Sequence, residues 1–100
     1  MFIFRAVNIY PGQIDHILSG FPEVGSEFQV IVDRGRDGRD YMTIKVERRK
    51  GGDPKGDSSL AGRIEEAIKK QILVSGRVEI VDYSSLPRSE RKSKRVFDNR

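Results

Sequence analysis

Residues 27–47 read EFQVIVDRGRDGRDYMTIKVE, and this stretch decides the fold class. Its first part, Glu27–Asp33, is dense in Phe, Val and Ile, as strands are. The pair Asp37-Gly38 then marks a tight turn. Beyond the turn, apolar residues alternate with polar ones through Tyr41–Glu47, which predicts a half-buried antiparallel strand with Glu47 on its polar side. The stretch therefore predicts a β-hairpin.

The segment before the hairpin predicts one strand and one helix. Phe2–Ile9 is rich in aromatic and branched residues, which favours a strand. Pro11 suits the first turn of a helix, and Gly20 followed by Pro22 suits its end. Between them, four apolar residues have the spacing of one helical face: Ile14, Ile17, Leu18 and Phe21.

The segment after the hairpin predicts a second helix and a last strand. Apolar residues recur there at every fourth position, which indicates a helix: Leu60, Ile64, Ile68 and Ile72. We expect Asp57 or Ser58 to cap the start of this helix and Gly76 to end it. Arg77–Tyr83 then has the pattern of a strand.

The predicted order β-α-β-β-α-β is that of the ferredoxin-like fold. We therefore expect an α+β domain whose four-stranded antiparallel sheet carries both helices on one face. The compact part is expected to span residues 1–87, and residues 88–100 are expected to form a basic C-terminal tail. This fold serves many functions, so it decides little about activity.

Composition excludes several classes of protein. The chain has 100 residues, no cysteine and one histidine, which rules out disulfides, thiolate metal sites and multi-histidine zinc sites. No apolar run reaches the roughly 18 residues of a membrane span. Arg5 and Asn8 interrupt the only apolar N-terminal stretch that a signal peptide could use. We expect a cytoplasmic protein with no membrane partner.

The positive charge is concentrated at the C-terminus. The formal net charge is +4, and residues 88–100 hold six basic and two acidic residues, which leaves 13 of each sign before Arg88. A neutral body with a basic tail favours an anionic partner such as nucleic acid, a phosphate ester or an acidic protein. A solvated, poorly ordered tail has the same composition.

Neither RNA recognition nor metal binding has a matching motif in the sequence. An RNA-recognition module would need aromatic residues and glycine on its third strand, whereas residues 40–46 read DYMTIKV. We therefore expect no nucleic-acid partner. Asp53 and Asp57 lie in a glycine-rich loop without the spacing of a calcium loop. His16 is assigned no chemistry, so no metal site is predicted.

Two segments near opposite ends of the chain carry a more specific signal. Residues 5–15 read RAVNIYPGQID, and residues 86–95 read LPRSERKSKR. Together with the strand Phe28-Gln29-Val30, they resemble the C-terminal domain of adenylate-forming enzymes, and within that superfamily the phenylacetate-CoA ligase branch. The resemblance spans essentially the whole chain.

The resemblance implies a two-step ligase reaction. An aryl acid such as phenylacetate reacts with ATP to give an acyl-adenylate and pyrophosphate, and CoA then displaces AMP. ATP and CoA are thus co-substrates, and Mg2+ is expected with ATP but not on this domain. The implied partner is the N-terminal adenylate-binding domain of the same protein, and the isolated small domain is expected to be inactive. A homodimer is left open.

The resemblance also implies which residues act. Lys92 matches the catalytic lysine of the C-terminal motif. Lys94 is the alternative, because the superfamily usually has glycine where this chain has Arg91. The loop that faces CoA in the second step is matched by Arg5, Ala6, Val7 and Asn8. Glycine is usual at the position of Ala6, and an added methyl group there could crowd the pantetheine arm.

A stand-alone binding module with the same fold is the competing interpretation. Such a module would sense a small ligand or bind nucleic acid through its basic tail. It predicts salt-dependent binding that disappears when residues 88–100 are deleted. The ligase interpretation predicts instead that Lys92→Ala abolishes adenylation in the complete protein.

Overall fold

The computed structural model describes residues 1–86 and 95–100. These residues form six strands and two α-helices, and the short 3-10 turn Pro54–Gly56 precedes the second helix. The elements are β1 (Phe2–Phe4), β2 (Val7–Ile9), α1 (Pro11–Ser19), β3 (Val24–Arg34), β4 (Asp40–Arg48), α2 (Asp57–Ile72), β5 (Arg77–Val81) and β6 (Val96–Asp98). The predicted α+β class is confirmed.

The main sheet has four strands in the order β5-β4-β3-β6 and is mixed. β3 and β4 pair antiparallel, with Val30 opposite Ile44, as the predicted hairpin requires. β5, however, runs parallel to β4, and β6 runs parallel to β3. The predicted antiparallel sheet was therefore wrong for both outer strands. β5 is parallel to β4 because α2 connects the two strands. A helical crossover returns the chain to the end of the sheet at which the previous strand began, so the next strand runs in the same direction.

The N-terminal segment forms a small sheet of its own. Residues 2–9, predicted as one strand, are an antiparallel hairpin in which Phe4 pairs with Val7. Arg5 and Ala6 have φ of 49° and 65°, a left-handed conformation that interrupts any strand. The ferredoxin-like strand order is therefore not formed. Apolar side chains of the hairpin still pack into the main core: Phe2, Phe4 and Ile9.

One apolar core joins the sheet to both helices. The stripes predicted on the two helices are buried except for Phe21, which lies beyond α1 and is half-buried. The inward-facing positions of the central strands are buried too. The largest apolar side chains that are fully enclosed are Phe4, Ile9, Ile14, Ile44, Ile64, Ile68, Val30, Val32 and Val46. Because α1 and α2 bury their stripes in this single cluster, both lie on the same face of the sheet, as predicted.

Both ends of α2 differ from the prediction. Asp57 is its first residue, and Gly56 precedes it without a side-chain cap. The Asp57 carboxylate instead accepts hydrogen bonds from Arg48. The helix ends just before Leu73, which takes a left-handed φ of 66°. Gly76, the expected end, therefore lies beyond the helix.

The end of the predicted tail belongs to the fold. β6 forms the sheet edge beside β3, with Val96 opposite Val30 and Phe97 opposite Ile31. Deleting residues 88–100 would therefore remove a strand together with the charge. The predicted division at residue 87 stays a prediction, because residues 87–94 lie outside the described residues.

Candidate functional site

The predicted CoA-facing loop contains a tight turn. Arg5 and Ala6 connect β1 to β2, and positive φ at both central residues is typical of a two-residue hairpin turn, where Asn and Gly are favoured. The turn conformation thus gives a backbone reason for the glycine expected at position 6. Ala6 and Asn8 are exposed and Val7 is half-buried, so the loop offers a surface to a ligand.

Arg5 is fixed against the start of β4. Its Nε and Nη2 atoms donate to the carbonyl oxygen of Asp40 at 3.1 and 3.0 Å. The guanidinium carbon lies 5.2 Å from the ring centroid of Phe4 and 5.9 Å from that of Tyr41, which is cation–π range. The Tyr41 hydroxyl donates to Asp37 at 2.6 Å, and this hydrogen bond raises the pKa of Tyr41. The turn and the β3–β4 loop are thus one connected surface.

The Asp40 carboxylate is shared by two arginines. Arg34 Nε donates to its Oδ1 atom at 3.1 Å, and Arg100 Nη1 donates to its Oδ2 atom at 2.8 Å. The hydrogen bond from Arg100 is the main reason that the pKa of Asp40 lies below its usual value. Arg100 also binds Asp98 through two nitrogens, at 2.9 and 2.7 Å, which lowers the pKa of Asp98 to about 2. Its Nη1 atom donates to the carbonyl of Ile3 at 2.7 Å.

A groove of about 480 Å3 opens beside the Arg5-Ala6 turn. We call it the arginine groove, and its lining residues are Arg5, Arg34, Gly38, Arg39 and Asp40. Three positive charges therefore line it against one carboxylate, which already binds Arg34 and Arg100. This arrangement suits an anionic ligand.

The predicted catalytic residue Lys92 and its alternative Lys94 lie outside the described residues. The structure does describe both flanks of that segment, and Leu86 and Arg95 are buried. The backbone N–H of Leu86 donates to Glu47 Oε2 at 2.9 Å. The N-terminal flank is therefore fixed to the sheet.

Glu47 is a residue whose burial sequence reasoning missed. Alternation put it on the polar side of β4, but its side chain is fully buried. It accepts hydrogen bonds from the backbone N–H groups of Ser84 and Leu86. The alternation identified the correct face, but it could not show that residues 82–86 fold over that face.

Arg95 fixes the C-terminal flank. Its guanidinium lies 4.6 Å from the ring centroid of Phe28. Its nitrogens lie 3.6 Å from the carboxylate of Asp15 on α1 and 3.7 Å from that of Glu27 on β3. This charge of the predicted tail, like that of Arg100, is therefore used within the fold.

The structure keeps the predicted CoA-facing loop apart from Leu86, the described N-terminal flank of the lysine segment. Arg5 binds Asp40, the first residue of β4, whereas Leu86 binds Glu47, near the last. At about 3.3 Å per residue, the strand separates these anchor points by roughly 23 Å. The predicted CoA-facing loop and the Leu86 flank of the predicted lysine segment therefore lie at opposite ends of β4.

In residues 1–86 and 95–100, no group of three or more His, Cys, Asp or Glu side chains is placed to hold a metal ion. No helix of this described portion is long and apolar enough to cross a membrane. His16 is exposed on α1.

Comparison with known families shows which family the chain belongs to. The family described as AMP-binding enzyme C-terminal domain matches residues 6–100. The chain belongs to this family. The match includes Ala6–Asn8 of the predicted CoA-facing loop and the whole predicted lysine segment, so both motif regions lie within one family domain.

Curated relatives of this AMP-binding C-terminal domain are phenylacetate-coenzyme A ligases. The ligases of Escherichia coli (strain K12) and Aromatoleum evansii are each 32% identical to it, over 103 and 106 residues. These alignments cover 100% of the chain but only 23% and 24% of the two ligases. The chain thus spans about a quarter of the length of the curated relatives it matches.

Solved structures show the same relationship. A domain of phenylacetate-coenzyme A ligase from Bacteroides vulgatus ATCC 8482 has a TM-score of 0.87 at 35% identity, covering 99% of this chain and 92% of that one. A 2-hydroxyisobutyryl-CoA ligase in complex with 2-HIB-AMP and CoA has a TM-score of 0.87 at 26% identity, covering 98% and 21%. The resemblance seen in the sequence is confirmed, and these neighbours favour the ligase interpretation over the stand-alone binding module.

Proposed function

We propose that this domain is the C-terminal part of an ATP-dependent acid–CoA ligase of the phenylacetate type. In the first step, a carboxylate oxygen of an aryl acid attacks the α-phosphate of ATP, and pyrophosphate leaves. In the second step, the CoA sulfur attacks the acyl carbon, loses its proton, and AMP leaves as the thioester forms. The acid, Mg2+ bound with ATP and a cytoplasmic location belong to the same proposal.

The separation of the Arg5-Ala6 turn from the Leu86 flank, at opposite ends of β4, supports this proposal. A domain that rotates between two half-reactions has to present a different surface in each. Arg5 at one end and Leu86 at the other are each hydrogen-bonded to the same strand, so the turn and this flank belong to one folded unit. Among the relatives, the 2-hydroxyisobutyryl-CoA ligase has been crystallised in a thioesterification state and in a postadenylation state.

Lys92 is the proposed catalytic residue of the first step, with Lys94 as its alternative. The acid carboxylate and the α-phosphate are both negative and must approach each other. An ammonium group placed between them offsets this repulsion and stabilises the charge of the transition state. Lysine suits the role because it carries a compact charge on a long, flexible stem.

Residues Arg5, Ala6, Val7 and Asn8 are the proposed CoA-facing loop of the second step. The exposed turn offers backbone groups and the Asn8 side chain to the pantetheine arm. Because Ala6 has φ of 65°, the glycine that the resemblance implies at this position would serve the turn conformation itself. The turn forms here with alanine instead, at the steric cost of a Cβ atom.

The acid and ATP pockets are proposed to lie in an N-terminal adenylate-binding domain of the same protein. The 100-residue chain alone is then expected to make no thioester from phenylacetate, ATP and CoA. Thioester formed by the purified chain would contradict this expectation, because the chain would then hold a complete site.

The lysine assignment is tested by separating the two half-reactions in the complete ligase. For Lys92→Ala we expect acid-dependent ATP–pyrophosphate exchange to fall by about 100-fold or more. Thioester formation from supplied acyl-adenylate should continue. Lys94→Ala is the matched control, with exchange near the wild-type rate. The opposite pattern would assign the role to Lys94, and full exchange in both variants would overturn the assignment.

A further inference from the structure

We propose that Glu47 and Arg95 are positioning residues for the adenylation step. They hold the two ends of residues 87–94, the segment that contains the proposed catalytic lysine, and so limit where its ammonium group can lie. This inference rests on the proposed function and deepens it, because it names the residues through which the lysine is placed.

The first anchor is the Glu47 carboxylate on β4. Its Oε1 atom accepts a hydrogen bond from the backbone N–H of Ser84 at 3.0 Å, and its Oε2 atom accepts one from Leu86 at 2.9 Å. The pairing of β5 with β4 ends at Val81, and beyond it the carboxylate supplies acceptors that a strand would otherwise offer. Because Glu47 is fully enclosed, the loss of either acceptor would leave a backbone donor without this partner.

The backbone that Glu47 holds is strained. Ser84 has φ of 67°, a left-handed conformation that residues other than glycine seldom adopt. Such a conformation persists where its surroundings hold it, and it is frequent at functional sites. The hydrogen bond from Ser84 to Glu47 holds it here, two residues before Leu86, the last described residue before the segment.

The second anchor is the Arg95 guanidinium, directly after the segment. The Arg95 side chain is only 11% exposed, and its nitrogens lie 3.6 Å from the carboxylate of Asp15 and 3.7 Å from that of Glu27. The guanidinium carbon lies 4.6 Å from the ring centroid of Phe28. A charge so far removed from water needs its carboxylates, so moving Arg95 away from them would be costly.

Both anchors lie at the same end of the sheet, where β3 begins and β4 ends. Phe28, which Arg95 contacts, pairs with Val46, and Glu47 follows Val46 on β4. Val46 belongs to the core under the helices, whereas Glu47 points to the other face. A segment tied at both ends has far fewer conformations than a free tail. Its lysine therefore loses less entropy on reaching the reacting groups.

The kinetic test compares the two half-reactions in the complete ligase. In Glu47→Gln the amide nitrogen cannot accept a hydrogen bond, so one backbone contact is lost while the side chain keeps its size. We expect the kcat of acid-dependent ATP–pyrophosphate exchange to fall about tenfold or more, because small misplacements of a catalytic group are costly. The KM for ATP and the rate of thioester formation from supplied acyl-adenylate should stay near their wild-type values.

Arg95→Gln is the second variant, so that the result does not depend on one protein folding. It removes the charge that Asp15 and Glu27 face, and the same selective loss of exchange is expected. Loss of both half-reactions to the same extent in the two anchor variants would overturn the proposal.

Two control variants separate positioning from a general loss of stability. Glu79→Gln changes an exposed glutamate on β5 and should leave both half-reactions unchanged. Ile68→Val lowers stability from the enclosed core on α2, outside both anchors, and should leave the ratio of the two rates unchanged. A selective loss of exchange in Ile68→Val as large as that in Glu47→Gln would overturn the proposal.

A combined variant tests whether Glu47 acts through the lysine. A residue that works only by placing another has little further effect once that other residue is removed. We therefore expect Glu47→Gln to change the residual exchange of Lys92→Ala little, or that of Lys94→Ala if that lysine is the one required. A full additional loss in this background would show that Glu47 acts independently of the lysine.

Hydrogen exchange of the 100-residue chain tests the first anchor directly. The amides of Ser84 and Leu86 should be protected in the wild type and exchange faster in Glu47→Gln, while the amides of β3 keep their protection. Unprotected amides at Ser84 and Leu86 in the wild type would overturn the anchor.

The outcomes distinguish failure of this proposal from failure of the proposed function. A wild-type ligase that carries out both half-reactions, with no selective loss in either anchor variant, would overturn the positioning role alone. A complete wild-type protein that carries out neither half-reaction would overturn the proposed function, and the positioning role with it.

Discussion

The two ends of the β3–β4 hairpin use arginine in opposite ways. At its open end, the guanidinium of Arg48 donates three hydrogen bonds, two to Asp57 at 2.8 and 2.6 Å and one to Asp82 at 2.7 Å. At its loop end, the arginine groove has three arginines and one carboxylate. The open end joins β4, α2 and the segment after β5, whereas the loop end keeps donors available.

This difference distinguishes arginines that stabilise the fold from arginines that can bind a ligand. The side chain of Arg48 is 11% exposed and that of Arg34 is 58% exposed. A guanidinium removed from water has to be paired, whereas an exposed one can exchange water for a phosphate at little cost. The number of arginines in the sequence does not show which of them stabilise the fold. Their hydrogen-bond partners in the structure do.

The largest expected effect is at Glu47, at the open end. Glu47→Ala removes the acceptor of two backbone N–H groups and leaves a void, so we expect the free energy of unfolding to fall by about 3 kcal/mol. Urea denaturation of the 100-residue chain measures this loss. Glu79→Ala, an exposed glutamate on β5, is the control and should change stability by less than about 0.5 kcal/mol. Equal effects of the two substitutions would show that the buried Glu47 contributes no more to stability than an exposed glutamate.

A smaller loss is expected at Asp57. Asp57→Asn removes the charge that faces Arg48, and we expect the free energy of unfolding to fall by about 1.5 kcal/mol. The corresponding substitution at the loop end, Asp98→Asn, should cost less, because the Asp98 side chain is 43% exposed and that of Asp57 is 26% exposed. Thermal unfolding of both variants at pH 7 ranks them, and the reverse ranking would show that the loop end is the structural one.

A gain in stability is expected at the turn beside the groove. Ala6 has φ of 65°, which glycine adopts without the steric cost that a Cβ atom adds. We expect Ala6→Gly to raise the free energy of unfolding by about 0.5–1 kcal/mol. Ala67→Gly, in the interior of α2, is the control and should lower it by a similar amount. A loss in both variants would mean that the turn is not left-handed in solution.

The smallest expected effect is a pH dependence at the loop end. Arg100 lowers the pKa of Asp98 to about 2 from the ordinary 3.8, so the folded state favours the ionised carboxylate. This contribution to stability is present above about pH 4 and is lost as the pH falls through about 2. The difference in Tm between wild type and Asp98→Asn should therefore shrink across this window. A constant difference from pH 6 to pH 2 would contradict the pairing.

Local patterns predicted much of the fold. The hairpin around Asp37-Gly38 and the apolar stripes of both helices are confirmed, because period and turn chemistry act over a few residues. The break at Arg5-Ala6 gave no signal, since neither residue is one of those that favour a left-handed turn. The direction of β5 was also missed, because it depends on how α2 crosses the sheet.

The candidate site was predictable only where a local sequence motif marks it. Residues 5–8 were placed on an exposed loop by resemblance, and the structure adds what that loop contacts. Glu47 and the arginine groove were not predictable, because each depends on residues far apart in the chain. Leu86 lies 39 residues from its partner Glu47, and Arg100 lies 60 residues from Asp40.

The hydrogen bond from Arg100 to the carbonyl of Ile3 places the last residue of the chain beside one of the first. The order of the elements along the chain could therefore be changed without changing their positions in the fold. A circular permutant that joined residue 100 to residue 1 and opened the chain near Gly51 would keep every strand neighbour. The same corner is also a suitable point of attachment to a larger protein. Such a protein could rotate the domain as a whole without breaking a hydrogen bond inside it.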